Sequence, residues 1–448
     1  MKNNKRNSVV LRITSFVLMM LLVFSTAMPA FADEVKVAKG DSSTGVSAIA
    51  KITKVLEMPV GTTTPNATFT FEFEPKSVEG DNYDSTKKNM PLIKDIDIVL
   101  DSNTASNTPV GVKTVFKESA DILSSLEGNW PHAGSYIYNV TETDGTYVIA
   151  QGKKEWMTYS LASYEVEFIV DNGPNDSLYV LYIVVTRTKD DKGDAVTGGG
   201  KVNPNPGGGT DDEYSQFRFV NTYSKTKGGG EDNPEETVLD ISNTVLGTGV
   251  NLSGTYFNFS VITNEPDVGN VAPYYMAYVM EKGTIVSDLK NNKPSSNSAE
   301  IAKDKNGIEY FKFVPGTASD VLLRNDQKLG FVDMPIGSSF KVTEAAALSF
   351  QASYKMTLDG GTEIEKENPS LNMSLTAPES GFAFIGENKN SVDFSNFRDF
   401  KAPTGISVND LPYYVLIAIA AIAFIAFVAI KNTLTFSRNS ATYSRNSA

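Results

Sequence analysis

The stretch that decides the fold is residues 50–75, AKITKVLEMPVGTTTPNATFTFEFEP. It predicts two strands joined by a loop rich in Pro, Gly and Thr. In the second strand phenylalanines alternate with polar residues, which is typical of a half-buried strand. In the first, period-two alternation places Lys54 on the same face as Ile52 and Leu56. A lysine on an apolar face is costly without a partner, so the rest of the chain should supply one.

The composition limits the classes of protein and of site. The chain has 448 residues, enough for two or three domains, and a formal net charge of −13. Both ends are basic, so the part between them is more acidic still, which argues against a nucleic acid partner. There is no cysteine and a single histidine, His132, which disfavours disulfides, histidine-based catalysis and multi-histidine metal sites. We expect no cofactor and no bound metal.

The N-terminus has the three parts of a secretory signal peptide. Basic residues precede the apolar run at 16–24, and Ala30-Phe31-Ala32 forms a small-x-small cleavage site. We therefore predict a signal peptide over residues 1–32, with a retained membrane anchor as the alternative. The mature N-terminus, residues 33–48, is polar and is expected to be flexible.

The C-terminus carries a second predicted targeting signal. Residues 411–430 are apolar over about one bilayer thickness, and the tail at 431–448 is basic. Within residues 401–405, just before the span, lie Ala402, Pro403, Thr404 and Gly405. This order resembles the cell-wall sorting signal of Gram-positive proteins, in which a sortase cuts between Thr and Gly. The proline directly precedes the threonine, unlike the usual Leu-Pro-x-Thr-Gly but similar to the Val-Pro-Thr-Gly variant of some streptococcal backbone pilins. A single-span membrane protein is the alternative.

Between the ends, short alternating segments separated by Asn, Gly and Pro turns predict an all-β chain of two tandem Ig-like β-sandwich domains. The first domain is predicted at 49–223 and the second at 236–399, with a linker at 224–235. The second repeats the first, because TYFNFSV mirrors ATFTFEF, SSFKVTE mirrors YIYNVTE and VDFSNF mirrors FRFVNT. Residues 118–126 are a modest helix candidate, and 197–210 are expected to be a flexible loop.

Two further polar residues continue apolar rows in the first domain. Glu142 follows two tyrosines and a valine on one strand face, and Asn221 follows two phenylalanines on another. Together with Lys54 they are predicted to point into one core, which is expensive unless they serve one another. On the residues alone, a buried Lys–Glu ion pair with a hydrogen-bonded asparagine nearby is the simpler interpretation.

The same motifs carry a family resemblance. ITKVLEM, TFTFEFEP, YIYNVTET and FRFVNTY resemble the pilin isopeptide linkage domain of streptococcal T-antigen-type backbone pilins. LGTG, DMPIGSSFKVTE and VDFSNFRDF resemble the domain that follows it. In that family a first-strand lysine and a last-strand asparagine join in a spontaneous isopeptide bond, assisted by a glutamate. The resemblance implies these roles for Lys54, Asn221 and Glu142.

The expected environment suits that chemistry. Burial lowers the pKa of a lysine, so that its amine can be neutral and nucleophilic, and raises the pKa of a glutamate. A protonated Glu142 is expected to donate a hydrogen bond to the Asn221 carbonyl and to relay protons as ammonia leaves. By analogy with a disulfide, the bond would stabilise the domain by about 5 kcal/mol. It would also carry tension between the first and last strands.

The second domain departs from this pattern. Glu344 and Asn396 occupy the expected positions, but Asn243 stands where the lysine is needed. Asparagine has no amine nucleophile, so we predict a neutral hydrogen-bonded cluster and no isopeptide bond. A lysine from another strand is the alternative.

The resemblance also implies an acceptor lysine just before the last strand of the first domain, which receives the Thr carbonyl of the next subunit. Residues 211–216 contain no lysine. Lys201, between glycine runs, is therefore the candidate intersubunit acceptor, and a solvated loop lysine is the alternative.

These features predict a structural subunit, the major or backbone pilin of a sortase-assembled Gram-positive surface pilus, and not an enzyme. The alternative is a wall-anchored minor pilin or adhesin that uses the same domains as a stalk. The mature protein is expected at the cell surface, after secretion of a membrane-anchored precursor. The expected partners are a sortase, further pilin subunits in a covalent homopolymer, and peptidoglycan or a cell-wall precursor. A host surface ligand is a further candidate partner.

Overall fold

The computed structural model describes most of the chain between the two predicted addressing signals, together with the C-terminal span. The described residues are 37–79, 90–150, 154–205, 216–398 and 411–443. The predicted signal peptide and the sortase-type motif lie outside them. Outside the C-terminal span the regular structure of the described chain is almost entirely strand, which confirms the all-β prediction.

The first sandwich is built from two sheets that share one core. Its strands are β1 (Ala38–Lys39), β2 (Thr53–Pro59), β3 (Ala67–Glu79), β4 (Leu92–Ile93), β5 (Ile96–Leu100), β6 (Ser106–Asn107), β7 (Val112–Glu118), β8 (Leu126–Glu127), β9 (Gly134–Glu142), β10 (Glu155–Thr158), β11 (Ser163–Asn172), β12 (Leu178–Lys189), β13 (Ala195–Val202) and β14 (Arg218–Lys227). One sheet has the order β10-β14-β2-β7-β6 and the other the order β1-β12-β11-β9-β3-β5, with β13 paired to β12. Strands β4 and β8 form a small separate pair.

The first and last main strands of this sandwich are direct neighbours. Strands β2 and β14 run parallel, with Lys54 opposite Phe219 and Leu56 opposite Asn221. Because side chains alternate along a strand, this register puts Lys54 and Asn221 on the same face of the sheet. Glu142 ends β9 in the other sheet, opposite Phe71 of β3. The core between the sheets therefore receives a polar side chain from each of three strands.

The second sandwich has the same plan. Its strands are β15 (Leu239–Gly247), β16 (Tyr256–Asn264), β17 (Tyr275–Glu281), β18 (Thr284–Ile285), β19 (Glu300–Lys303), β20 (Glu309–Phe313), β21 (Ser319–Arg324), β22 (Gln327–Val332), β23 (Met334–Pro335), β24 (Ser339–Glu344), β25 (Gln351–Thr357), β26 (Ile364–Glu367), β27 (Leu375–Ala377), β28 (Ala383–Phe384) and β29 (Asn390–Arg398). One sheet has the order β19-β20-β17-β22-β15-β29-β25-β26. The first and last strands of this sandwich in the chain, β15 and β29, are therefore again neighbours. The other has the order β21-β16-β24-β27, with Glu344 opposite Phe259.

Several segments differ from the sequence-based expectations. The helix candidate is instead the end of β7 followed by a short 3-10 helix, Ile122–Ser125. The glycine-rich segment expected to be a loop contributes β13, because backbone pairing with β12 needs no side-chain alternation. The mature N-terminus expected to be flexible forms β1, which pairs with β12. The predicted linker begins inside β14, which continues to Lys227.

The two sandwiches contact one another within one compact unit, which covers described residues up to Leu246 and from Asn251 to Phe397. The end of β14 pairs with β23, with Thr226 opposite Pro335. Lys225 forms an ion pair with Glu387, and their side chains are only 14% and 15% exposed. Glu387 also accepts a hydrogen bond from the Thr63 N–H. Charged groups and strand pairing therefore join the sandwiches.

The other unit contains residues 247–250 and the chain from Arg398 onward. Within it, helix α1 spans Leu411–Tyr443. In the described part of the chain α1 is the one helix long and apolar enough to cross a membrane, over Tyr414–Asn432 with a mean hydropathy of 2.5.

Replacing Glu387 with alanine should loosen the joint between the sandwiches, because it leaves the part-buried Lys225 ammonium without this partner. We expect a loss of about 1–2 kcal/mol, between the values for surface and for buried pairs. Hydrogen exchange of the Ile336 N–H, which donates to Lys225 O at 2.9 Å, should then speed up by about tenfold. Glu363→Ala, which removes an exposed pair with Lys355, is the control. Equal exchange in the two variants would contradict a stabilising role for Glu387.

Candidate functional site: two buried polar clusters

The first cluster consists of Lys54, Glu142 and Asn221, and the structure brings all three together as predicted from the sequence. The Lys54 and Asn221 residues are completely buried, and the side chain of Glu142 has no exposed surface. Aromatic rings surround the cluster. The Lys54 Nζ lies 4.5 Å from the centre of the Phe69 ring, and Phe71 packs against Phe219 at 4.8 Å between ring centres.

One carboxylate oxygen joins the three side chains. Glu142 Oε1 accepts hydrogen bonds from Lys54 Nζ at 2.9 Å and from Asn221 Nδ2 at 2.7 Å. The other oxygen, Oε2, accepts from Lys54 Nζ at 2.8 Å. The amine and the carboxamide nitrogen therefore meet at the same atom.

Burial drives both ionisable groups toward their neutral forms. Desolvation lowers the pKa of Lys54 to about 8, although the nearby Glu142 carboxylate opposes this shift. Desolvation likewise raises the pKa of Glu142, against the opposing effect of Lys54 and of the hydrogen bond from Asn221. Transfer of a proton from the lysine to the glutamate is therefore far less costly here than in water.

The carboxamide of Asn221 is oriented differently from the sequence-based expectation. Glu142 contacts the amide nitrogen and not the carbonyl oxygen. The carbonyl oxygen, Oδ1, instead accepts the backbone N–H of Ser160 at 2.7 Å. Ser160 lies in the loop between β10 and β11, and sequence reasoning missed it because a backbone donor in a loop leaves no signal in side-chain periodicity. Glu142 is thus placed to protonate the nitrogen that would leave.

The second cluster consists of Asn243, Glu344 and Asn396, which are also buried together. Asn396 Nδ2 donates to Glu344 Oε1 at 2.5 Å and to Asn243 Oδ1 at 3.1 Å. Asn243 Nδ2 in turn donates to the Leu323 carbonyl at 3.1 Å. Burial raises the pKa of Glu344 to about 8, with the Asn396 hydrogen bond acting in the opposite direction. The shift favours the protonated, uncharged acid, and the neutral cluster stays a prediction.

The two clusters differ in three contacts. Where the first has the Lys54 amine, the second has the Asn243 amide, which is not a nucleophile. The Asn221 carbonyl accepts a backbone N–H, whereas Asn396 Oδ1 is buried and accepts no hydrogen bond from the part of the chain that the structure describes. Glu344 Oε2 is likewise buried without a hydrogen-bond partner among the described residues. The second cluster therefore holds the acid and the amide but lacks the amine and the carbonyl donor.

The candidate acceptor Lys201 lies away from both clusters. It belongs to β13, opposite Thr186 of β12, and not to a loop. Its side chain is exposed, while partial desolvation of the ammonium lowers its pKa and the nearby Glu167 opposes that shift. An exposed amine on a strand is what an acceptor lysine needs. Ordinary surface lysines have the same features, so the structure does not distinguish the two roles.

The second cluster should make stability depend on pH. The folded-state pKa of Glu344, about 8, lies above the ordinary value of 4.5, so folding favours the protonated acid. Its contribution is complete below about pH 4.5 and is lost as the pH rises toward 8, by at most about 1.4 kcal/mol per pH unit. Glu344→Gln should remove this dependence. Denaturant unfolding of both proteins between about pH 5 and pH 8 tests it, with Glu363→Gln as the exposed control. Parallel pH curves for the parent and Glu344→Gln would contradict the shift.

Sequence comparisons with known proteins find no match. No family model matches the chain, and no curated protein matches it.

Solved structures give matches of low overall similarity. The major pilin of Streptococcus pyogenes is 18% identical, with a TM-score of 0.30, over 78% of this chain and 99% of that one. The major pilin T3.2 of the same organism is 18% identical with a TM-score of 0.28, over 80% and 100% of the two chains. The pilus-presented adhesin Spy0125 is 13% identical with a TM-score of 0.21, over 53% and 36%. At these scores the likeness carries no conclusion about function. Two of these matched proteins are described as major pilins and one as a pilus-presented adhesin.

Proposed function

We propose that the chain is the backbone subunit of a sortase-assembled Gram-positive surface pilus. Its first domain is stabilised by an isopeptide bond between Lys54 and Asn221, which forms without another enzyme and with assistance from Glu142. The reaction occurs once in each molecule, so the protein modifies itself and does not turn over a substrate.

The observation that carries this proposal is the double role of Glu142 Oε1, which accepts hydrogen bonds from both nitrogen atoms that would exchange places on the Asn221 carbonyl carbon. Because the two nitrogen atoms meet at one oxygen, the same carboxyl group can take a proton from one and give it to the other. Full burial excludes the water that would compete with the amine for the amide carbon or would screen the proton transfer.

The reaction balances with these three side chains alone. A proton passes from the Lys54 ammonium to Glu142, and the resulting amine attacks Cγ of Asn221. Glu142 returns the proton to Nδ2, the Cγ–Nδ2 bond breaks, and ammonia leaves. The carboxylate then takes the excess proton from Nζ. The products are a secondary amide, neutral Glu142 and one ammonia molecule.

The bond would have a mechanical purpose. The main chain of the first sandwich enters through β2 and leaves through β14, and these strands are parallel neighbours. Tension along a pilus would pull them apart in shear. A covalent link between them carries the load past every hydrogen bond in between. It thus serves a chain without cysteines as a disulfide would.

Assembly follows from the chemistry of the two ends. A sortase would join the Thr404 carbonyl to a lysine amine of the next subunit, with Lys201 as the candidate acceptor. Helix α1 would hold the precursor in the membrane until that transfer, because its apolar stretch is long enough to span a bilayer. The last subunit would be passed to peptidoglycan or a cell-wall precursor.

The intact mass of residues 33–404 tests the isopeptide bond. We expect the protein to be lighter than its sequence by one ammonia molecule. Glu142→Ala should show the full sequence mass, because the proton relay is missing. A loss of two ammonia molecules in the parent would contradict the unreactive second cluster. A full mass in the parent would overturn the cross-link.

Replacing Lys201 tests the acceptor. In a strain that assembles the fibre, Lys201→Ala should abolish the ladder of covalent polymers, because the amine that attacks the sortase-bound subunit is missing. Lys189→Ala, at the end of β12, is the control and should leave the ladder intact. A normal ladder with Lys201→Ala would exclude this residue as the acceptor. A parent that forms no ladder at all would favour the minor pilin or stalk.

A further inference from the structure

The proposed reaction creates negative charge on one particular atom. When an amine attacks the carbonyl carbon of Asn221, its oxygen, Oδ1, becomes an oxyanion. In a buried site this charge is costly unless a donor already points at it. The backbone N–H of Ser160 donates to that oxygen at 2.7 Å, the distance expected of an oxyanion donor.

The Ser160 N–H also decides which way the carboxamide faces. A backbone N–H can only donate, so it must meet the oxygen and not the NH2 group of Asn221. The nitrogen is thereby turned toward Glu142, to which it donates at 2.7 Å. One backbone group thus directs the leaving nitrogen to its proton source and holds the carbonyl oxygen.

We propose that the backbone N–H of Ser160 is the oxyanion donor for isopeptide formation, and that Asp191 is the positioning residue that holds it in place. This inference rests on the proposed function of the first cluster. It adds to the lysine, glutamate and asparagine a fourth participant, supplied by the main chain, and a carboxylate that acts through it.

Asp191 connects the two backbone segments that meet at the reacting amide. Its Oδ1 accepts the Ser160 hydroxyl at 2.6 Å and the backbone N–H of Val220 at 2.8 Å. Val220 immediately precedes Asn221 in β14. The other carboxylate oxygen pairs with Arg187, and the Asp191 carbonyl accepts the Leu161 N–H at 3.0 Å. Asp191 therefore fixes the donor and the amide relative to each other.

The second cluster is a natural comparison. Asn396 contacts Glu344 as Asn221 contacts Glu142, but its Oδ1 is buried and accepts no hydrogen bond from the described residues. The donor is thus associated with the cluster that has the lysine nucleophile. Asparagine and glutamate alone do not bring such a donor with them, so it is a separate feature of the first site.

Asp191 also has an electrostatic effect, and this separates two explanations of its role. Its negative charge raises the pKa of Lys54 and so favours the unreactive ammonium. The same charge raises the pKa of Glu142 and so favours the protonated acid that the reaction needs. If charge were its only contribution, neutralising Asp191 would therefore leave the rate near neutral pH little changed. If Asp191 holds the Ser160 donor, its removal slows the reaction at every pH, including pH values at which Lys54 is already neutral.

The direct experiment replaces one backbone N–H with an ester oxygen. The α-hydroxy analogue of serine is introduced at position 160 of residues 33–404 by cell-free translation, and ammonia loss is followed by intact mass against time. The matched control carries the same ester at Ser124, whose N–H donates to the Asp121 carbonyl at 2.9 Å away from the cluster. Both proteins lose one backbone donor at a serine.

We expect the ester at position 160 to slow ammonia loss about 10²–10³-fold relative to the Ser124 ester, the usual effect of removing one oxyanion donor. A rate within about threefold of the control would overturn the proposal while leaving the Lys54–Asn221 bond intact. Absence of ammonia loss from the unmodified chain would instead overturn the proposed function itself, and with it this inference.

Side-chain variants cover the case in which the ester prevents folding. Ser160→Ala keeps the backbone N–H but loses the hydroxyl contact with Asp191, and should slow ammonia loss. Ser160→Thr keeps a hydroxyl and should restore the rate. Asp191→Ala should slow the reaction across the whole pH profile of the rate. Equal rates for Ser160→Ala and Ser160→Thr, or an unchanged or faster reaction for Asp191→Ala, would contradict the positioning role.

Discussion

A single buried oxygen, Glu142 Oε1, is the point at which the first sandwich is organised. It accepts hydrogen bonds from the Lys54 amine and the Asn221 amide. Glu142 belongs to one sheet, and Lys54 and Asn221 belong to the other. Each of the three groups would be expensive to bury alone, and together they satisfy one another. Their hydrogen bonds join β2 and β14 of one sheet to the end of β9 in the other. The packing of the core and the proposed reaction thus involve the same contact.

The two sandwiches share one architecture, and in our proposal only the first of them is reactive. Both place a glutamate opposite a phenylalanine in one sheet and an asparagine on the last strand of the other. The second has Asn243 in place of the lysine, and burial raises the pKa of its glutamate to about 8. In our account the first sandwich is held by a covalent bond and the second by hydrogen bonds and packing. The ion pair of Lys225 with Glu387 then joins two bodies of different mechanical character.

Period-two alternation was enough to predict the side chains of the first cluster, because Lys54, Glu142 and Asn221 interrupt apolar rows on strands. The strand positions of the second cluster could be predicted because the second domain repeats the sequence motifs of the first. The contribution of Ser160 could not be predicted, since its backbone N–H comes from a loop whose path depends on tertiary contacts with Asp191. Strand β13 was missed for a related reason, because its glycines have no side chains to alternate.

The most direct test of the account is to identify the cross-linked atoms in the mature chain. Trypsin cannot cleave after a lysine whose amine is acylated. Residues 52–76 should therefore remain one peptide, with the Lys54–Val55 bond uncleaved. Tandem mass spectrometry should find it joined to residues 219–225 and lighter by one ammonia molecule than the two peptides together. Separate linear peptides, with cleavage after Lys54, would show that the cluster is an ion pair and that no isopeptide bond forms.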